Sequence, residues 1–125
     1  MMDVLIESTK KFEKDLAKLS EREKAIAIQK INDCAELFPT SKTNAYRKLE
    51  HLPLYLNGYD SSLYTIKIPL KLKAILAIDE DPIFRQVIFT LFRVVAHDDF
   101  NNAYQSVVES LYQDMHHQER EIVLV

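Results

Sequence analysis

Lys67, Lys71, Lys73, Arg93 and His97 are the residues of this chain whose types and spacing point to chemistry, and no acid stands between Leu63 and Ile78. Clustered cations favour an anion, and lysine ammonium groups hold phosphate oxygens as point charges. Lysine lacks the two-pronged fork of arginine, so its geometric control is poorer. His97 adds a proton-transfer group, because an ordinary imidazole titrates near pH ~6.5. Arg93 shares parity with His97 along one apolar run and is expected near it. Each residue also has a plain structural reading. His97 is equally well explained by a bond to Asp98 or Asp99, and strand lysines often keep sheet edges from pairing.

Other chemistries find little support. Cys34 is alone in the sequence, so it reads as a small apolar residue in a helix. His116 and His117 have no spaced partners for a metal. Asp79, Glu80 and Asp81 precede Pro82 and read as a turn, not as a catalytic carboxylate pair. With 1 glycine there is no glycine-rich phosphate loop. No metal and no cofactor are expected. The formal net charge of -3 argues against broad, nonspecific nucleic-acid binding, but leaves room for a local basic patch.

The elements that must position these residues are legible in part. LYTIKI over 63–68 and KLKAILAID over 71–79 alternate with the two-residue period of strands, around a tight turn at Pro69-Leu70. Residues 85–97 are almost wholly apolar, which suits a strand covered on both faces. Short turns join all three, so they form an antiparallel meander. Upstream, MDVLIES reads as a first strand and Ser8-Thr9 as a helix cap. Phe12, Leu16 and Leu19 follow at helical spacing. Ser20 and Glu23 fit a capping box opening a second helix, which should bury Ala27, Ile28, Ile31, Ala35 and Phe38 before Pro39 stops it. A helical turn is expected within 44–52 and a loop over 53–62, although Asn57-Gly58 is a turn signal. The last helix carries a stripe of Phe100, Ala103, Tyr104, Val107, Val108, Leu111 and Tyr112, capped by Asp98 or Asp99. Residues 115–125 form a flexible tail ending in the strand-like Ile122–Val125. The order β-α-α-β-β-β-α makes one α+β domain over 1–125, with helices on one face of a small antiparallel sheet. No run has the length of a signal peptide core or membrane span, so a cytoplasmic location is expected.

STKKFEKDLAKLSEREK, the helix ending at Pro39, RKLEHL at 47–52, LYTIKI with LKAILAIDED, and VVAHDDFNNAY stand in an order that resembles the RelE/ParE superfamily of type II toxin–antitoxin toxins. The resemblance covers roughly residues 3–112. It implies a cognate antitoxin as partner. For members that cleave mRNA in the ribosomal A site, it also implies the ribosome and mRNA. It places Lys67 and Lys73 at basic sheet positions, His97 at the His or Lys position ending the last strand, and Tyr104 at a tyrosine of the last helix. Tyr104 also belongs to the apolar stripe, and core is its plainer reading. Asp98 stands where RelE-type members commonly carry an arginine. Cleavage by the 2'-hydroxyl needs a base, an acid and cations around the phosphate. His97 is the acid–base candidate, with Lys67, Lys73, Arg93 and Tyr104 around it and Lys71 as an RNA contact. The competing reading is a non-catalytic binding module of the same fold, either a ParE-like inhibitor or a degenerate toxin. A homodimer through the sheet edge is a third.

Overall fold

A computed structural model describes the backbone of residues 2–52, 55–56, 59–60 and 62–124, and side chains within 2–52 and 62–113. Its elements are β1 (Asp3–Ser8), α1 (Lys10–Ala17), α2 (Glu21–Leu37), α3 (Lys42–Arg47), β2 (Glu50–His51), β3 (Tyr55–Leu56), β4 (Tyr59–Asp60), β5 (Leu63–Ile68), β6 (Leu72–Asp81), β7 (Gln86–Ala96) and α4 (Phe100–Leu124). The architecture is α+β, a five-stranded sheet in the order β1-β7-β6-β5-β2. β5, β6 and β7 form the expected antiparallel meander, while β1 lies parallel to β7. The chain between β1 and β7, which opens with α1 and α2, supplies the long connection that a parallel neighbour requires.

Sequence chemistry sets the helix boundaries. Thr9 Oγ1 accepts the Phe12 N–H at 3.1 Å and opens α1. The Ser20–Glu23 capping box is present in both directions, at 2.9 and 3.1 Å. The inward stripe of α2 is Ala27, Ile31, Cys34 and Ala35, continued by Phe38. Ile28, expected inside, is 45% exposed. It stands one position, about 100°, past Ala27, off the stripe that Cys34 centres.

Adjacent residues of β6 point to opposite faces, and both faces are covered. Ala74, Leu76 and Ile78 join Phe12, Ile31, Phe38, Phe89 and Val94 in the larger core. Ile75 and Ala77 join Leu63, Ala103 and Val107 in a second core beneath α4. Helices therefore flank the sheet instead of sharing one face as expected. The long apolar stripe of α4 needs a partner surface, and the odd-numbered side of β6 supplies it.

Several boundaries differ from the expectations. The helical turn of 44–52 lies earlier, at α3, and Glu50–His51 is a strand against β5. The expected loop holds a small ladder pairing Tyr55 with Asp60 and Leu56 with Tyr59. Those pairs flank Asn57-Gly58, which lie outside the described residues. Asp79, Glu80 and Asp81 are strand residues, and the turn comes later. Asp81 Oδ1 accepts the Ile83 and Phe84 N–H groups at 3.0 and 3.2 Å, a local competition that favours turns. β7 stops at Ala96, and His97–Asp99 form a 3-10 turn with no side-chain cap. Asp98 and Asp99 thus occupy the first turn instead of capping it, where negative charge still suits the helix dipole. The backbone of 115–124 continues α4 instead of forming a tail strand. No Gly or Pro interrupts 100–124, so a helix once started propagates through it.

Candidate functional site

Lys67 on β5 lies directly opposite Lys73 on β6. Like charges directly opposite destabilise an antiparallel pair. The same face carries Ile75 and Val95, so both lysines stand at the margin of the α4 core. Lys67 is exposed and Lys73 half-buried. Lys73 Nζ sits 4.6 Å from the centre of the Phe100 ring, a cation–π contact that fixes where its charge stands. Phe100 in turn stacks on Tyr104, with centroids 6.0 Å apart and planes within 9°. Tyr104 therefore packs as part of the second core and supports the platform beneath Lys73.

The turn between these strands completes the patch. Leu70 and Lys71 adopt φ of 70° and 59°, in the left-handed region that non-glycine residues rarely visit. That geometry turns the Lys71 carbonyl to accept the His97 N–H at 2.7 Å. His97 is thereby fixed beside the lysine hairpin, and its side chain is exposed. Asp98 and Asp99, also exposed, follow it directly. The structure thus brings together Lys67, Lys71, Lys73, Phe100, Tyr104 and His97.

Arg93 is not part of that group. Its Nε and Nη2 bond Asp15 Oδ2 and Oδ1 at 2.6 and 3.1 Å, a two-pronged pair, and the Val94 N–H donates to Oδ2 at 3.1 Å. Pairing is regular from Arg93 to Ala96, and a bulge immediately precedes Arg93. Ile75 pairs with Arg93 and Leu76 with Leu91, which leaves Phe92 over. Asp15, whose position in α1 carried no sequence signal, thus neutralises the one arginine of the set. A cleft of about 440 Å³ lies beside this pair, lined among others by Lys18, Ala96, Asp99 and Asn102.

A second polar cluster sits by α3. Glu80 bonds Lys42 Nζ at 2.5 Å and the Tyr46 hydroxyl at 2.9 Å. Burial works against ionisation of Glu80, but the Lys42 and Tyr46 bonds outweigh it and hold its carboxyl below the usual range. Burial and Glu80 together push the Tyr46 hydroxyl up. Cys34, with its Sγ 3.7 Å from the Ala45 carbonyl, is pushed up to about 11 by burial. A thiol so protonated is a packing group, not a nucleophile. Among the described residues, no three His, Cys, Asp or Glu side chains are grouped to hold a metal ion. His116 and His117 lie outside the described side chains. No described helix is long and apolar enough to cross a membrane.

No protein-family model matches this chain, and no curated protein matches it. Among solved structures, it is similar to a chain of the toxin–antitoxin complex RelBE2 from Mycobacterium tuberculosis. That similarity has 17% identity, a TM-score of 0.47, and covers 74% of this chain and 95% of the other. A likeness of that size carries no functional argument.

Proposed function

We propose that this chain is a RelE-like toxin of a type II toxin–antitoxin system, an endonuclease acting on ribosome-bound mRNA and neutralised by an antitoxin protein. The observation that carries the proposal is the opposed Lys67–Lys73 pair, with Lys67 exposed and half-buried Lys73 anchored over Phe100. Two lysines on directly opposed strand positions can both reach one anion, and a phosphate of single-stranded RNA is such an anion. The reaction attaches the 2'-oxygen to phosphorus and breaks the bond to the 5'-oxygen. The 2'-hydroxyl loses a proton and the leaving 5'-oxygen gains one; His97 makes one of these transfers and solvent water the other. Lys67, Lys71 and Lys73 balance the charge that grows on the phosphate.

Asp98 and Asp99 favour a second reading. They set negative charge beside His97, and Arg93, paired with Asp15, brings no free cation. On that reading the same surface binds a protein without cutting RNA. The two are separated by incubating the purified chain with programmed ribosomes and mapping mRNA ends. Cleavage is expected in wild type. It should fall about 10²–10³-fold in Lys73→Ala and in His97→Ala, the usual cost of one electrostatic donor, and rise in Asp98→Arg. No cut from wild type or from Asp98→Arg would leave the non-catalytic reading standing.

A further inference from the structure

The two edges of the sheet are treated differently. At one edge, β2 is two residues long and carries Glu50 and His51, which is short and polar, as a protected edge should be. At the other, β1 is six residues long, DVLIES, with no Lys, Pro or Gly in it. Leu5 and Ile6 are 44% and 42% exposed. The Asp3 and Thr9 N–H groups bond Arg85 and Leu91 carbonyls at 3.0 Å. Alternation then turns the N–H and C=O groups of Val4, Ile6 and Ser8 outward, away from β7.

We infer that β1 is a homodimer interface, pairing antiparallel with β1 of a second copy across a two-fold axis. Two registers keep most of the strand paired through those outward groups. The one centred on Leu5 sets Asp3 against Glu7 of the other copy, like charge on like, which is unfavourable. The one centred on Ile6 pairs Val4 with Ser8 and Leu5 with Glu7, and sets Asp3 against Thr9, next to the exposed Lys10. That register is self-complementary in charge as well as in hydrogen bonding. It brings the two exposed Ile6 side chains together on the face where Val4 already packs on the larger core. It also brings the β6–β7 hairpin tip of each copy, with Ile83 and Phe84 83% and 72% exposed, to the same end of the joined sheet as α1 of the other. Two-fold pairing of identical patches is the usual form of a dimer contact.

Sedimentation of the full chain in a series reaching about 100 μM, a range suited to a modest interface, tests this. Wild type should reach twice the 14.6 kDa of one chain. Ile6→Pro removes an outward N–H and spares the ladder to β7. It should halve the mass while the melting temperature of the remaining monomer shows a folded protein. Ile6→Lys, which keeps the backbone donor but sets two charges together at the axis, should do the same and decides the matter if the proline variant fails to fold. A wild type that stays monomeric overturns the inference, and so does a dimer that survives both substitutions.

Discussion

At the scale of single residues, partners decide what a charge is free to do. Lys67 and Lys73 face each other, and the cation–π contact is the restraint on Lys73. Arg93 carries the same formal charge but is held by both oxygens of Asp15, which is 8% exposed. Its role is to join α1 to β7. Arg93→Ala would leave a buried carboxylate bonded to one backbone N–H. The expected loss of stability is about 2 kcal/mol, below the ~3–5 of a fully buried pair because Arg93 keeps 20% exposure. Chemical denaturation reads this directly, and an unchanged midpoint would mean the pair does not join the two elements. The lysines and His97 were legible from their types and spacing. The Arg93–Asp15 pair was not, because its partners stand 78 residues apart in the chain and no local pattern marks it.

At the scale of elements, turns and caps position the site. Period-two alternation marked β5 and β6, and the apolar run marked β7, because each buries a continuous face. What alternation cannot show is a strain. Leu70 and Lys71 sit in the left-handed region, which costs a non-glycine residue roughly 1–2 kcal/mol. Leu70→Gly relieves it, offset by glycine's own entropy cost, so a net gain of about 0.5–1 kcal/mol is expected. A lower melting temperature in that variant would mean the half-exposed Leu70 side chain matters more than its backbone. The α3 cluster makes a different prediction. Glu80's carboxyl titrates lower in the folded chain than in the unfolded one, so its stabilisation is complete above the ordinary carboxylate value. It is lost as pH falls through the lowered folded value. The acid limb of a melting-temperature profile should therefore flatten in Glu80→Gln. Identical acid limbs would show that the Lys42 and Tyr46 bonds add no stability.

At the scale of the whole molecule, charge is distributed against its own sum. The chain has 19 acids and 16 lysines and arginines, so its distant field is weakly negative and does not draw in nucleic acid. On the proposed function, RNA affinity comes from contact with Lys67, Lys71 and Lys73 on one hairpin. The two-sided core makes that concentration workable. The helical hairpin buries one face of the sheet and α4 the other, which leaves the hairpin end and the start of α4 as the shared margin where these residues meet. Contact with three phosphates releases counterions in proportion, so log affinity for single-stranded RNA should fall against log salt with a slope of about −2. Lys73→Ala should flatten that slope by roughly 0.7, the share of one contact. Lys18→Ala, at the C-cap of α1 and lining the cleft beside the Arg93–Asp15 pair, should leave it unchanged. Fluorescence anisotropy of a labelled oligonucleotide at pH 7.5 or above, where an ordinary histidine is neutral, gives both values. A slope twice as steep, or one indifferent to Lys73, would place the anion contact elsewhere on the surface, because three lysines release no more ions than they displace.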